Sequence, residues 1–423
     1  MNRLQANAEN SALSREQQLR EAILLTFCTP VPRQCACLRN LSARQWKPLL
    51  YWLDTSGLAL YFLDRITELG MCEMLPHAVL SRLEQNLSDN TARTTAMIDE
   101  STAIHHSFQH AGLSYATLKG FSLWPVSVPK VELRSQLDLD FLIAEGSASK
   151  AREIIEARGY RLHAISGRSW EFKANQNSTY TLKDLYKPMP QRTVELHIET
   201  RGEGSPLLLD RTEPFCFHGV CIPVLAPVDL FLGQGLHLYK HLCSEFSRSA
   251  HLLEFRRHIL ARFHDDAFWK ELREIAEDNP RARMSLGFVT LLISHVMGDF
   301  APQALTCWTV DRLPIPPRLW VELYGRRAVF ASFPGSKLYL LLQQGMQEVG
   351  LPAKRSLWQS LLPRRLPPAI AYAAPGETLA VRLRRYRRQV HFILFRLRFH
   401  FLEGLRYLGE SARWRRHINS FEQ

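Results

Sequence analysis

Asp138 and Asp140 stand two residues apart in the run Arg134-Ser-Gln-Leu-Asp-Leu-Asp-Phe-Leu-Ile143. On a strand, such residues project from one face about 7 Å apart. Their carboxylates can then converge on a pair of magnesium ions roughly 4 Å apart. Magnesium takes oxygen ligands of this kind and completes its shell with water and substrate phosphates. Leu137, Leu139 and Phe141 would face the core. The plain alternative is a half-buried strand with a wet acidic face, because alternation is generic. Upstream, Leu118-Lys119-Gly120 closes a short β-prone run. Glycine lets the backbone approach a ligand closely, and Lys119 offers a point charge for a triphosphate. A helix starting just beyond would present free N–H groups to phosphate. Taken alone, Lys-Gly reads as a turn. Downstream, Thr193-Val-Glu195-Leu-His197-Ile198 alternates again, with Glu195 and His197 on one face. Glu195 is a candidate third carboxylate, as metal ligand or as base for an acceptor. By itself it is an ordinary strand acid.

The elements that must position these residues follow from periodicity. Residues 15 to about 112 read as helices, with apolar positions at Trp46, Leu49, Leu50 and Leu53 and then at Leu58, Leu60, Tyr61 and Leu63. Pro76 opens a helix that runs to His110, and Ala111-Gly112 ends it. Short strands are expected at 113–118, 137–143, 160–164, 169–174, 179–182 and 192–199, with a helix at 147–157 stopped by Gly159. Cys216 to Cys221 reads as a hairpin before Pro223. Helices return at 228–241, 250–263, 268–275 and 284–296. Pro302 to Pro317 reads as a connector, and 351–376, with five prolines, as a linker. The expected class is α+β, a small mixed-sheet core flanked by N-terminal and C-terminal helical regions. The expected boundaries are 1–112, 113–225, 226–345 and 346–423.

Each piece is common, but their order is not. Strand-Lys-Gly, an acid pair on a strand, then a single acid on a later strand resembles the DNA polymerase β-like nucleotidyltransferase superfamily. The wording LKG, RxxxDxD and acid-Leu-His resembles the bacterial family called uncharacterised nucleotidyltransferases. Leu225-Ala-Pro227-Val-Asp229-Leu-Phe231, followed by His237 and Lys240-His241, matches the helical segment after that family's third acid. The resemblance covers about residues 40 to 260. It implies a nucleotidyl core in which Asp138, Asp140 and Glu195 are the catalytic, metal-binding carboxylates. It further implies that Lys119, Gly120, Ser122 and Arg134 line the nucleotide, with His197 behind the carboxylates. Asp229 and His237 are weaker candidates, because capping and core packing explain them as well. The chain departs from the pattern in two places. Phe121 follows the glycine where a small residue is usual, with Ser122 next, and the third acid is Glu rather than Asp. The implied reaction moves an NMP from an NTP to an unknown small-molecule, peptide or protein acceptor and releases pyrophosphate. Two Mg²⁺ ions are expected, with Mn²⁺ as a substitute. The alternative is a catalytically silent nucleotide-binding or scaffold protein on the same fold.

The 423 residues suggest two or three folded units. The composition, 46% apolar and 22% charged, is globular. No apolar run approaches the length of a membrane span, and the first residues lack a secretory apolar stretch. Cys28, Cys35 and Cys37 lack paired zinc spacing, so the eight cysteines read as reduced thiols. A cytoplasmic protein is the expectation, with peripheral contact at the inner membrane face as a further reading. Of the net charge of +12, nearly all lies from Lys354 onward, where fifteen Lys/Arg face four Glu. Residues 378 to 407 read as an amphipathic helix. Leu383, Tyr386, Val390, Ile393, Leu397, Phe401 and Leu405 form its apolar stripe. Arg384, Arg385, Arg387, Arg388, Arg396 and Arg398 supply its polar side. The Arg-rich residues 378–416 suit an anionic membrane or an acidic partner, or packing on the protein's own body. Nucleic acid is not expected, since the aromatic residues sit on the apolar stripe.

Overall fold

The computed structural model describes residues 13–174, 184–188, 192–200, 207–245, 248–348, 356–361 and 377–422. The chain folds as two compact units. One is Leu80–Gln234; the other joins Met1–Val79 to Gly235–Gln423. The helices ahead of the sheet are α1 (Arg15–Leu25), α2 (Ala43–Ser56), α3 (Ala59–Glu68) and the long α4 (His77–His110). Ser42 and Gln45 form a capping box at the start of α2.

The Leu80–Gln234 unit is built on β1 (Tyr115–Thr117), β2 (Asp138–Ala144), α5 (Ala148–Ala157), β3 (Arg161–Ser166), β4 (Ser169–Ala174), β5 (Arg192–Glu199), β6 (Thr212–Phe217) and β7 (Val220–Leu225). The seven strands form one mixed sheet, ordered β3-β4-β5-β2-β1-β7-β6. β2 with β5 and β1 with β7 are parallel pairs; the other neighbours are antiparallel. Alternation sends Leu139, Phe141, Ile143, Val194, Leu196 and Ile198 to one face. There they pack with Ile104 and Phe108 of α4 and Ala151 and Ile155 of α5. The opposite face is covered only in part, where Ala116, Leu142 and Leu225 pack with Leu209 and Leu230. The β6–β7 turn places His218 at φ 46° and Gly219 at φ 79°, the two positive φ values of a tight hairpin turn. Thus the expected α+β class, the hairpin and the strands at 160–164, 169–174 and 192–199 are all present. The expected strand at 179–182 lies outside the described residues.

The other unit is helical. After α6 (Pro227–Leu242) come α7 (Ser249–Ala261), α8 (Asp266–Ala276), α9 (Pro280–Met297), α10 (Gln303–Thr306), α11 (Ile315–Trp320), α12 (Arg326–Val329), α13 (Tyr339–Glu348), α14 (Leu357–Leu361) and α15 (Leu379–Glu422). α9 is buried along most of its length, with Leu286, Phe288, Val289, Leu292 and Ile293 in the core. Two large buried polar side chains are paired across the unit: Tyr61 donates to Glu254 at 2.9 Å, and the Trp320 indole to the Leu338 carbonyl at 2.8 Å.

Two expectations change here. Pro302–Pro317 is not a bare connector: it holds α10, a 3₁₀ turn and the start of α11, with Leu305 and Trp308 buried. Proline at the first turn of a helix costs nothing, since its missing N–H would be unused there. The C-terminal helix is longer than expected, and its apolar stripe is not its packed face. Leu383, Tyr386, Val390, Leu397, Phe401 and Leu405 are all exposed. The packed stripe is Phe399, Glu403, Tyr407, Ser411 and Trp414. Polar residues sit within it because they are satisfied: Glu403 accepts from the Lys337 backbone N–H at 3.1 Å and from Ser336 at 3.0 Å. Most of 351–376 lies outside the described residues.

Candidate active site

The parallel register of β2 and β5 sets Asp138 beside Thr193, Asp140 beside Glu195, and Leu142 beside His197. Asp138, Asp140, Glu195 and His197 therefore share the face opposite the helix-packed core. Asp140 is 3% exposed. Its Oδ1 receives the Lys119 ammonium at 2.9 Å and His197 Nε2 at 3.2 Å. The same imidazole nitrogen lies 3.3 Å from Glu195 Oε2. Lys119 reaches the corner because the Leu118 N–H donates to the Asp140 carbonyl at 3.2 Å, extending the β1–β2 pairing by one residue.

Electrostatics divides the roles. Burial, and then the charge of Asp140, push Asp138 up to about 6, while Lys119 opposes the shift. Burial also works against the Asp140 carboxylate, but the His197 hydrogen bond and the Lys119 ammonium outweigh it and hold Asp140 below the usual range. Burial disfavours charged His197, yet its bonds to Asp140 and Glu195 raise it to about 9. Burial likewise opposes Lys119, and the charges of Asp140 and Asp138 overcome it and raise its pKa. The corner thus carries Asp140 ionised, His197 and Lys119 cationic, and Asp138 readier to take a proton than Asp140.

Gly120 follows Lys119 at φ 72° and opens a single 3₁₀ turn, Gly120–Leu123, in place of the α-helix that the sequence left open. A Cβ there would meet the Gln136 side-chain nitrogen at 2.4 Å. Gln136 in turn donates to the Asp138 carbonyl at 2.8 Å, and its own carbonyl accepts from the buried Arg93 guanidinium of α4. Arg93 also binds the Leu185 carbonyl. Ser122 is buried, with its hydroxyl lacking a hydrogen-bond partner among the described residues; the Ser135 hydroxyl is likewise unsatisfied. Arg134 bonds the Gln136 amide oxygen at 3.5 Å and acts on Asp138 through its charge.

Asp140, Glu195 and His197 each offer a ligand atom within 4.8 Å of the others. Asp138 adjoins them along β2 without joining that tight group. Two carboxylates, a nearby third, and the unsatisfied Ser122 hydroxyl in the glycine turn fit a divalent cation and a phosphate-bearing ligand. While His197 keeps its proton, it donates to the carboxylates rather than serving as a ligand. Asp229 stands apart, paired with Arg211 at 3.0 Å in the first turn of α6. His237 groups with His241 and His251.

The sequence reading missed Arg93, Gln136 and Glu171. β4 sets Glu171 opposite Glu195, where Lys173 pairs with Glu171 at 2.8 Å. Alternation in 169–174 marked that strand, but nothing in it named its neighbour. No curated protein sequence matches the chain. The family described as uncharacterised nucleotidyltransferase matches residues 42–298, which include the whole sheet, and the chain belongs to that family.

Proposed function

We propose that the protein is a Mg²⁺-dependent nucleotidyltransferase that moves an NMP from an NTP to an acceptor and releases pyrophosphate. The observation that carries this reading is the in-register pair Asp140–Glu195, with Lys119 and the Gly120 turn on the adjoining strand end. In the reaction, an acceptor oxygen or nitrogen attacks the α-phosphorus, the α–β phosphoanhydride bond breaks, and the acceptor proton leaves. Lys119 and Arg134 neutralise phosphate charge, and the Gly120 backbone lets the chain approach the phosphates closely. Ser122 supplies a hydroxyl to the same turn. Asp138, Asp140 and Glu195 hold the cations, and His197 fixes the orientation of Asp140 and Glu195. Bound Mg²⁺ would neutralise the triphosphate and make the attacking group easier to deprotonate. Much of the rate would come from this prearranged charge.

An assay with α-³²P-labelled NTPs, Mg²⁺ and pooled acceptors tests the proposal. Asp140→Ala should lower label transfer by at least about a hundredfold. Full transfer by that variant would end the assignment. NTP binding that ignores Mg²⁺, with no transfer to any acceptor, would instead favour the silent nucleotide-binding scaffold.

A further inference from the structure

The C-terminal helix α15 has two faces of opposite fate. Its 44 residues span about 66 Å. Phe399, Tyr407 and Trp414 are buried on one side. Trp414 packs against Tyr324 at a ring separation of 6.1 Å. The stripe from Leu383 to Phe401 lies about 130° around the helix from them. There Leu383 is 60% and Phe401 67% exposed, and Leu408 continues the stripe. An apolar stripe of this length left in water by a folded chain marks a contact surface.

Charge decides what it contacts. Glu403 and Glu410 lie on the docked side, Glu403 held by Ser336 and the Lys337 N–H, Glu410 by Arg327 at 2.7 Å. Glu377, just before the helix, is taken up by Arg382 and Arg385. Glu403 and Glu410, the two glutamates between Leu379 and Trp414, thus both point to the docked side rather than to the stripe. Arg384, Arg387, Arg388 and Arg398 are exposed, Arg387 and Arg398 along one edge of the stripe and Arg384 and Arg388 further round the helix. A cavity of about 540 Å³ opens further round the helix, lined by Arg20, Arg327, Arg398 and Arg406 with Phe395 and Leu402. Glu16 and Glu403 also line it, each bound to one of those arginines. A second copy of so basic a face would be repelled, and an RNA would leave the apolar stripe wet. We propose that α15 seats the protein on a bilayer surface rich in anionic phospholipid. The stripe lies at the acyl boundary and the arginines reach the lipid phosphates. Among the described residues no helix is long and apolar enough to cross a membrane, so the contact is interfacial.

Cosedimentation of the full chain with vesicles tests this. Phosphatidylcholine vesicles with added phosphatidylglycerol should carry the protein down, vesicles of phosphatidylcholine alone should not, and salt should weaken the binding. Replacing Arg384, Arg387, Arg388 and Arg398 by Gln should weaken it about a hundredfold or more. Val390→Glu with Phe401→Glu, both at exposed positions, should abolish it while circular dichroism stays unchanged. Failure to sediment with the anionic vesicles, or unchanged sedimentation of the Val390→Glu/Phe401→Glu variant, would overturn the proposal. So would a dimer in the ultracentrifuge that this variant dissolves, without vesicle binding by the native chain.

A separate cluster carries a second inference. His237 and His241 lie one turn apart on α6, with ring centroids 4.4 Å apart. His251 on α7 meets them at 5.4 and 5.1 Å. One ligand atom of each lies within 4.8 Å of the others, and all three are half-buried. Imidazole nitrogens without carboxylates suit zinc and its neighbours rather than magnesium, and three ligands leave a fourth position open. We infer that this trio binds a zinc-class divalent cation, independently of the acidic corner. Titration with Co²⁺, followed by visible absorption, should give tetrahedral bands that His251→Ala removes and Asp140→Ala retains. Absence of the bands, or their survival in His251→Ala, would overturn it.

Discussion

Gly120 is fixed by two constraints at once, a φ of 72° and the Gln136 side chain at the place of its missing Cβ. Gly120→Ala should therefore cost at least about 1 kcal/mol in stability and also weaken NTP binding. Gln136→Ala relieves the clash but not the backbone strain. The double variant should recover part of the loss, as a double-mutant cycle in urea would measure. His197 makes a prediction in pH. Its pKa rises from 6.5 to about 9 through Asp140 and Glu195, with burial and Lys119 opposing. A folded value above the unfolded one lends stability that is full below about pH 6.5 and lost as pH rises through about 9. The urea midpoint should accordingly fall more steeply over that window in the native protein than in His197→Ala. Parallel profiles would place the proton elsewhere.

At the scale of elements, α4 does more than cover the sheet. Its Arg93 holds the segment that leads into β2 through the Gln136 carbonyl, and Asn90 binds the Glu132 carbonyl at 2.7 Å. Arg93→Met should leave two buried carbonyls unsatisfied and cost about 2 kcal/mol or more. The strands themselves were legible, because alternation is a local property of Asp138–Ile143 and Thr193–Ile198. Their pairing was not: alternation gives Asp140 and Glu195 a face but not a neighbour, and Glu171 joined the corner only through the β4–β5 register. Arg93 was hidden for another reason. An arginine inside a long polar-looking helix carries no sign that its partners are backbone carbonyls far along the chain. The tail misled in the opposite sense. Its most apolar stripe drew attention, while the packed face conceals Glu403 and Ser411 behind specific hydrogen bonds that hydropathy does not register.

For the whole molecule, charge and stability are unevenly shared. Nearly all the net charge of +12 belongs to the last seventy residues. Yet much of that segment is structural, so removing it would take away Tyr407 and Trp414 and uncover the surface they cover. Point changes separate the two roles. Trp414→Ala, 2% exposed, should lose about 3–5 kcal/mol. Phe401→Ala should stay within about 0.5 kcal/mol, both measured by urea unfolding.

The imidazolium wedged between Asp140 and Glu195 has a thermodynamic consequence. Under the proposed function, a divalent cation arriving at those oxygens would meet a resident proton, and its charge would drive that proton off. Loading would then be an exchange, cation in and proton out. Heats of binding measured in buffers of differing ionisation enthalpy should fall on a line whose slope counts the protons expelled. That slope should approach one near neutrality and collapse in His197→Ala. Acidification should loosen the cation twice over, through this exchange and through Asp138 as pH falls below about 6.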